Sequence, residues 1–113
     1  MNLTRTEENG LLIYEIAGNL LGEVDGLVII ESFTKDFESG KRKFIFDLSN
    51  LKYINSTGLG NLLKIVTKAK ESNVQICFTN LSESFNKLIL MTRLNQFFTI
   101  APNLEEAKGM IAG

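Results

Sequence analysis

The chain of 113 residues has one proline and nine glycines and is 44% hydrophobic and 22% charged, which is the profile of a single compact domain covering residues 1–113. Twelve basic residues against thirteen acidic ones leave a formal charge of −1, and the longest like-charged run is Lys41-Arg42-Lys43, so nothing in the chain steers nucleic acid or an anionic membrane. With no histidine and a single cysteine, Ser-His-Asp and Cys-His catalysis and a structural zinc site are excluded, and neither metal nor cofactor is expected.

Residues 10–16, GLLIYEI, read as a mostly apolar strand. A weaker strand over 3–8 precedes it, joined through Asn9-Gly10, the strongest short hairpin signal. Beyond Gly18-Asn19 the period changes. Ile29, Ile30, Phe33 and Phe37 fall on one helical face and Glu31, Ser32, Lys35 and Asp36 on the other, which predicts a helix stopping near Gly40. The short apolar run 44–48 predicts a central parallel strand covered on both faces. A second helix follows, with Leu59, Leu62, Leu63, Val66 and Ala69 inward and Asn61, Lys64, Lys68 and Glu71 outward. Residues 74–78 predict another strand, and a third helix runs from about Ser82, capped by Ser82 or Asn80, to Leu94. A last strand is placed over 97–100. Asn103 and Glu106 then resemble a capping box that opens a closing helix. Tyr14, Tyr53 and the eight phenylalanines are assigned to the core.

This alternation predicts an α/β domain: a mixed, mostly parallel sheet of four to five strands with about four helices, joined by right-handed crossovers. No apolar run exceeds four residues, against the roughly 20 needed to span a bilayer. The first ten residues lack the apolar region of a signal peptide, so a cytoplasmic protein without membrane insertion is expected. Cys77, inside an apolar run, reads as a small buried hydrophobe. Gly58-Leu59-Gly60 lacks the remaining elements of a dinucleotide or Walker loop.

The strand-to-helix turn Asn55-Ser56-Thr57 carries the chemistry. In open α/β sheets, function collects where strand ends meet helix starts. All three residues are good helix caps, yet one cap suffices, and Gly58 and Gly60 in the first turn each cost roughly 1 kcal/mol relative to alanine. Small residues there allow another surface to approach closely. A phosphate on Ser56 would add a charge of about −1.5 to −2 at the positive end of the helix dipole. The fold would tolerate it, and a partner docked on that turn would feel it.

The block FIFDLSNLKYINSTGLGNLL resembles the signature of STAS domains, in particular of anti-sigma factor antagonists, where an apolar strand ending in Asp-Leu-Ser leads to Asp-Ser-Ser/Thr-Gly-Leu-Gly. The resemblance extends over nearly the whole chain, from Gly18-x-Leu20 through VQICFTNLSESFNKLILMTRL to FFTI and the closing helix. It implies a STAS-like domain that works by partner switching and is not an enzyme. Unphosphorylated, the domain binds an ATP-dependent serine kinase that is also an anti-sigma factor. The kinase phosphorylates the serine matching Ser56, the complex weakens, and a serine phosphatase resets the system. Asn55, Thr57, Gly58, Leu59 and Gly60 would form the docking turn. Two positions depart from the pattern: Asn55 replaces the usual Asp before the phosphorylated serine, and Leu21 replaces the Asp after Gly-x-Leu.

On the third helix, Leu90 and Met91 project away from the face formed by Phe85, Leu88, Ile89 and Thr92, beside Lys87 and near Arg93. They are candidates to extend the partner surface. Two competing readings accompany the switch. One is a STAS scaffold subunit of a signalling or lipid-transport complex, in which Asn55-Ser56 only caps. The other is a small α/β enzyme or phospho-aspartate receiver using Asp47, which the missing acidic pair and late lysine disfavour. Partner identity and oligomeric state are not encoded in any of these patterns.

Overall fold

The computed structural model describes residues 1–112. Its elements are β1 (Asn2–Glu8), β2 (Leu11–Leu20), α1 (Glu23–Glu38), β3 (Lys43–Asp47), β4 (Leu51–Ile54), α2 (Ser56–Glu71), β5 (Gln75–Thr79), α3 (Glu83–Met91), a 3-10 turn (Asn95–Phe97), β6 (Ile100–Ala101) and α4 (Leu104–Ala112). The sheet runs β1-β2-β3-β5-β6 with β4 also on β2. Among the described residues only β1 is antiparallel to its neighbour; the remaining pairs are parallel.

Local sequence explains most boundaries. Asn9 and Gly10 take φ of 51° and 84°, the two positive values that a two-residue hairpin matching strand twist requires. Gly40, at φ 100°, follows α1 where a left-handed residue was expected. Ser82 caps α3 by accepting from Phe85 N at 3.2 Å, and Asn103 accepts from Glu106 N at 2.9 Å at the start of α4.

Alternation along the strands divides the core in two. Leu12, Tyr14, Ile16, Phe44, Phe46 and Phe78 face α1, α2 and α3, while Ile13, Ile45 and Cys77 face Ala107 and Ile111 of α4. Parallel strands covered on both faces need such continuous apolar runs. Aromatic rings fill the larger half: Phe33 lies 4.8 Å from Phe44 and Phe78 lies 4.9 Å from Phe98, centroid to centroid. At about 1.5–3 kcal/mol per fully buried large side chain, this half is the main source of stability.

Several expectations are corrected. Among the described residues the sheet has six strands, because β2 outruns β3 and Gly18, Asn19 and Leu20, with an irregularity between the first two, take a second partner in β4. α3 ends at Met91, short of Leu94, since Arg93 adopts φ 59°. The last strand is the two-residue β6, which shares only Ile100 with the segment placed there; Phe97 ends the 3-10 turn, and Phe98 and Thr99 belong to neither element. Tyr53 and Phe97 are exposed rather than core. Asp36 and Asn61, assigned to outward helical faces, are both buried. Asp36 is pulled in by Arg5, whose Nε and Nη2 donate to its two oxygens at 2.8 and 2.6 Å, and by the Tyr14 hydroxyl, which donates to Oδ2. Asn61 fits inward because Gly26 faces it: a Cβ at position 26 would lie 2.0 Å from Asn61 Nδ2.

Candidate functional site

β4 and α2 are separated by one residue, Asn55, and that residue does the capping. Its backbone is extended, its Oδ1 accepts from Gly58 N at 2.9 Å, and its carbonyl accepts the first helical bond from Leu59 N at 2.9 Å. The second half of its amide is also engaged: Nδ2 donates to the Leu21 carbonyl at 2.8 Å. Asn55 thereby ties the start of α2 to the loop before α1, and it leaves Ser56 without a capping task.

Ser56 and Thr57 are the first two residues of α2 and both are exposed. Neither hydroxyl makes a hydrogen bond among the described residues. The first turn holds no acidic residue, and its N–H groups lend it partial positive charge. The Ser56 hydroxyl is therefore open to solvent at a place where added negative charge is favourable.

The two glycines of the turn differ in purpose. A Cβ at Gly58 would lie 2.4 Å from the Leu20 carbonyl oxygen, so Gly58 lets α2 press onto the end of β2. At Gly60 an added Cβ would meet nothing within 4 Å, and no contact within the chain requires a glycine there. Gly58 and Leu59 are buried, Leu59 at 1% exposure. They set the turn's position, and the accessible part of the predicted site is Asn55, Ser56, Thr57 and half-buried Gly60.

On one flank of the turn lie β4 and α3, joined where Ser84 Oγ accepts from Ile54 N at 3.3 Å. An open depression there is lined by Lys52, Tyr53, Glu83, Ser84 and Lys87. Leu90 and Met91 are exposed, at 57% and 80%, but sit six and seven residues beyond Ser84, about 10 Å along the helix axis. Tyr53, 62% exposed, is the nearer apolar contact and was missed because a tyrosine beside an apolar strand pattern reads as core. The other flank carries exposed Leu21, Val24, Leu27 and Val28, which the inward periodicity of α1 conceals in the sequence.

Other reactive groups are accounted for. Asp47, at the end of β3, accepts from Ser49 N at 3.0 Å and Asn80 Nδ2 at 3.3 Å, which fixes the loops after β3 and β5. Cys77 is buried and its thiol is held above its ordinary pKa by that burial, so it is a poor nucleophile. Among the described residues no cluster of three or more His, Cys, Asp or Glu could hold a metal ion, and no helix is long and apolar enough to cross a membrane.

An α/β domain whose accessible serine opens the helix after β4 defines a class, and comparison with known proteins identifies it: the STAS domain model matches residues 2–107. The chain belongs to the STAS family. It is 33% identical over 60 residues to the STAS-domain containing protein PA14_20770 of Pseudomonas aeruginosa, an alignment covering 53% of this chain and 59% of that protein. Among solved structures it is similar to a Thermotoga maritima protein assigned to the anti-sigma factor antagonists, with TM-score 0.88 and 16% identity over 98% of this chain and 95% of the other. It is also similar to the Bacillus cell fate determinant SpoIIAA in its phosphorylated form, with TM-score 0.75 and 16% identity over 97% and 99%. At these identities the structural likeness speaks for the fold.

Proposed function

We propose that the protein is an anti-sigma factor antagonist acting by partner switching, with Ser56 as the phosphorylated residue. The observation that carries this reading is the division of labour at the turn. Asn55 satisfies the helix end, and the exposed Ser56 hydroxyl has no structural partner among the described residues. A serine whose only role was capping would occupy Asn55's position. SpoIIAA, which shares the fold, has been solved both unphosphorylated and phosphorylated, which supports reading the turn as a modification site.

In this reading the unphosphorylated turn docks against an ATP-dependent serine kinase that doubles as an anti-sigma factor. Close approach is allowed by the bare Gly60 backbone, and Asn55, Ser56 and Thr57 supply polar contacts. Transfer of the γ-phosphoryl group of ATP to Ser56 Oγ, with ADP as leaving group and loss of the hydroxyl proton, puts a charge of about −1.5 to −2 and considerable bulk into a desolvated contact. The helix dipole and the absence of first-turn carboxylates keep the phosphorylated domain folded. The complex is what fails, and a serine phosphatase restores the starting state by hydrolysis. The domain is the substrate and ligand of these enzymes, works in the cytoplasm and needs no cofactor. Leu90 and Met91 extend the contact on the α3 side.

Affinity for the cognate kinase, measured for wild type, Ser56→Ala and Ser56→Asp, tests the proposal. Binding retained by Ser56→Ala and reduced at least about tenfold by Ser56→Asp is the expected result. A stable complex indifferent to Ser56→Asp would point to a STAS scaffold subunit of a signalling or lipid-transport assembly.

A further inference from the structure

α1 is apolar on two faces. Gly26, Ile29 and Phe33 are buried inward. On the outward face Val24, Leu27 and Val28, at i, i+3 and i+4, are 76%, 51% and 45% exposed, and Leu21 just ahead of the helix is 46% exposed. Single exposed apolar side chains are ordinary. Four within eight residues at helical spacing form a stripe. It occupies only the first half of the helix, since Glu31, Thr34 and Lys35 continue the outward face.

That half of α1 lies beside the start of α2. Gly26 packs against Asn61, and the Leu21 carbonyl accepts from Asn55 Nδ2 at 2.8 Å. Further along, Lys68 Nζ sits 5.5 Å from the Phe37 ring, so the two helices run side by side in the same direction. The stripe is the flank of the Ser56 turn opposite to β4 and α3. The charges within it are acidic, Glu23 and Asp25, and α2 has no basic residue before Lys64; past its end Glu31 is followed by Lys35, which lines the same depression as Val28. The β4 and α3 flank carries Lys52 and a Glu83–Lys87 ion pair 3.2 Å long.

We infer that the Leu21 to Val28 stripe is a second docking face for the partner that Ser56 controls, and that the partner covers it with an apolar surface rimmed by lysine or arginine. This rests on the proposed function. A second copy of the chain fits poorly: acids would face acids across a two-fold axis, and four side chains bury far less than the roughly 800 Å² per partner of a standard interface. An anionic bilayer is disfavoured by the same acidic rim. Joined to the turn and to Tyr53, the stripe makes one continuous footprint with Glu23 and Asp25 on one flank and Lys52 on the other.

The test places p-benzoylphenylalanine at Val24, at Thr57 or, as a control, at Thr6 on the outer strand. Each protein is irradiated in soluble extract of the cells that make the chain, and adducts are identified by mass spectrometry. The captured protein is then purified and its affinity measured for Val24→Asp and Leu27→Asp at low and high salt. The expected result is the same protein captured at positions 24 and 57 and not at 6, with at least about a tenfold loss of affinity in each variant and weaker binding at high salt. An acid in the first turn favours the helix, so lost binding by Val24→Asp does not arise from unfolding. Capture at 57 alone, a different protein at 24, a self-adduct, no adduct at either position, or unchanged affinity overturns the inference. Loss of binding by Val24→Asp together with indifference to Ser56→Asp would instead keep the footprint and remove the switch.

Discussion

Asn55 and Leu21 are joined by a hydrogen bond from the Asn55 Nδ2 to the Leu21 carbonyl, 2.8 Å long, while the same side chain caps α2 through its Oδ1. An aspartate in this position could cap but could not donate. The residue before Ser56 thus holds the loop that carries Leu21.

Removing both bonds with Asn55→Ala should cost about 1–2 kcal/mol of stability. Asn55→Asp keeps the cap and gains a favourable charge at the helix start, so its cost should stay below about 1 kcal/mol. Urea unfolding midpoints of the two variants check the order.

Gly58 and Gly60 should respond to alanine with opposite signs. The Cβ of Gly58→Ala meets the Leu20 carbonyl at 2.4 Å, a backbone atom that cannot swing aside, and a loss of about 2–3 kcal/mol is expected from the forced shift. Gly60→Ala meets nothing within 4 Å and should stabilise the helix by about 0.5–1 kcal/mol. Thermal unfolding reads both. If Gly60 serves partner approach, the stabilised Gly60→Ala protein should bind its partner more weakly.

The Arg5–Asp36–Tyr14 cluster makes stability depend on pH at both extremes. Arg5, by hydrogen bonding, holds the Asp36 carboxyl below its ordinary pKa. The ionised form is favoured in the folded state, so the contribution is present above the unfolded value of about 3.9 and is lost as pH falls below it. Tyr14, with its pKa raised first by burial and then by its bond to Asp36, contributes stability below the unfolded value of about 10 that is lost as pH rises beyond it. Asp36→Asn should be destabilised by about 2–3 kcal/mol at neutral pH and should show a flatter acid limb. Urea midpoints from pH 3 to 7 measure this.

Much of this was legible in the sequence because the signals were local. The Asn9-Gly10 hairpin, the Ser82 and Asn103 caps and the buried run at 44–48 each follow from a few adjacent residues, and the block around Ser56 singled out the candidate turn. What stayed hidden depends on distant partners. β4 exists only because β2 is long enough to pair with a second strand after β3 ends. Asp36 reads as a surface acid until Arg5 arrives from the edge strand, 31 positions away. Asn61 needs the missing side chain of Gly26. The outward stripe on α1 was obscured because Ile29, Ile30 and Phe33 already satisfied an inward helical period, and Leu27 and Val28 merged into that apolar run.

On the α3 flank, Met91→Ala should lower partner affinity by about tenfold or less if the docking surface reaches the end of that helix, with no change in the urea midpoint because the side chain is 80% exposed. Unchanged affinity would confine the contact to the turn, β4 and α1.

The central claim is that Ser56 is a switch. Intact-mass analysis of the protein recovered from its native cells, followed by peptide mapping of residues 53–64, tests it most directly. The expected result is a fraction carrying one phosphate, located on Ser56, that changes with growth or stress. Complete absence of phosphate from this peptide across those conditions would contradict it and leave Ser56 as an unmodified surface residue beside the Asn55 cap.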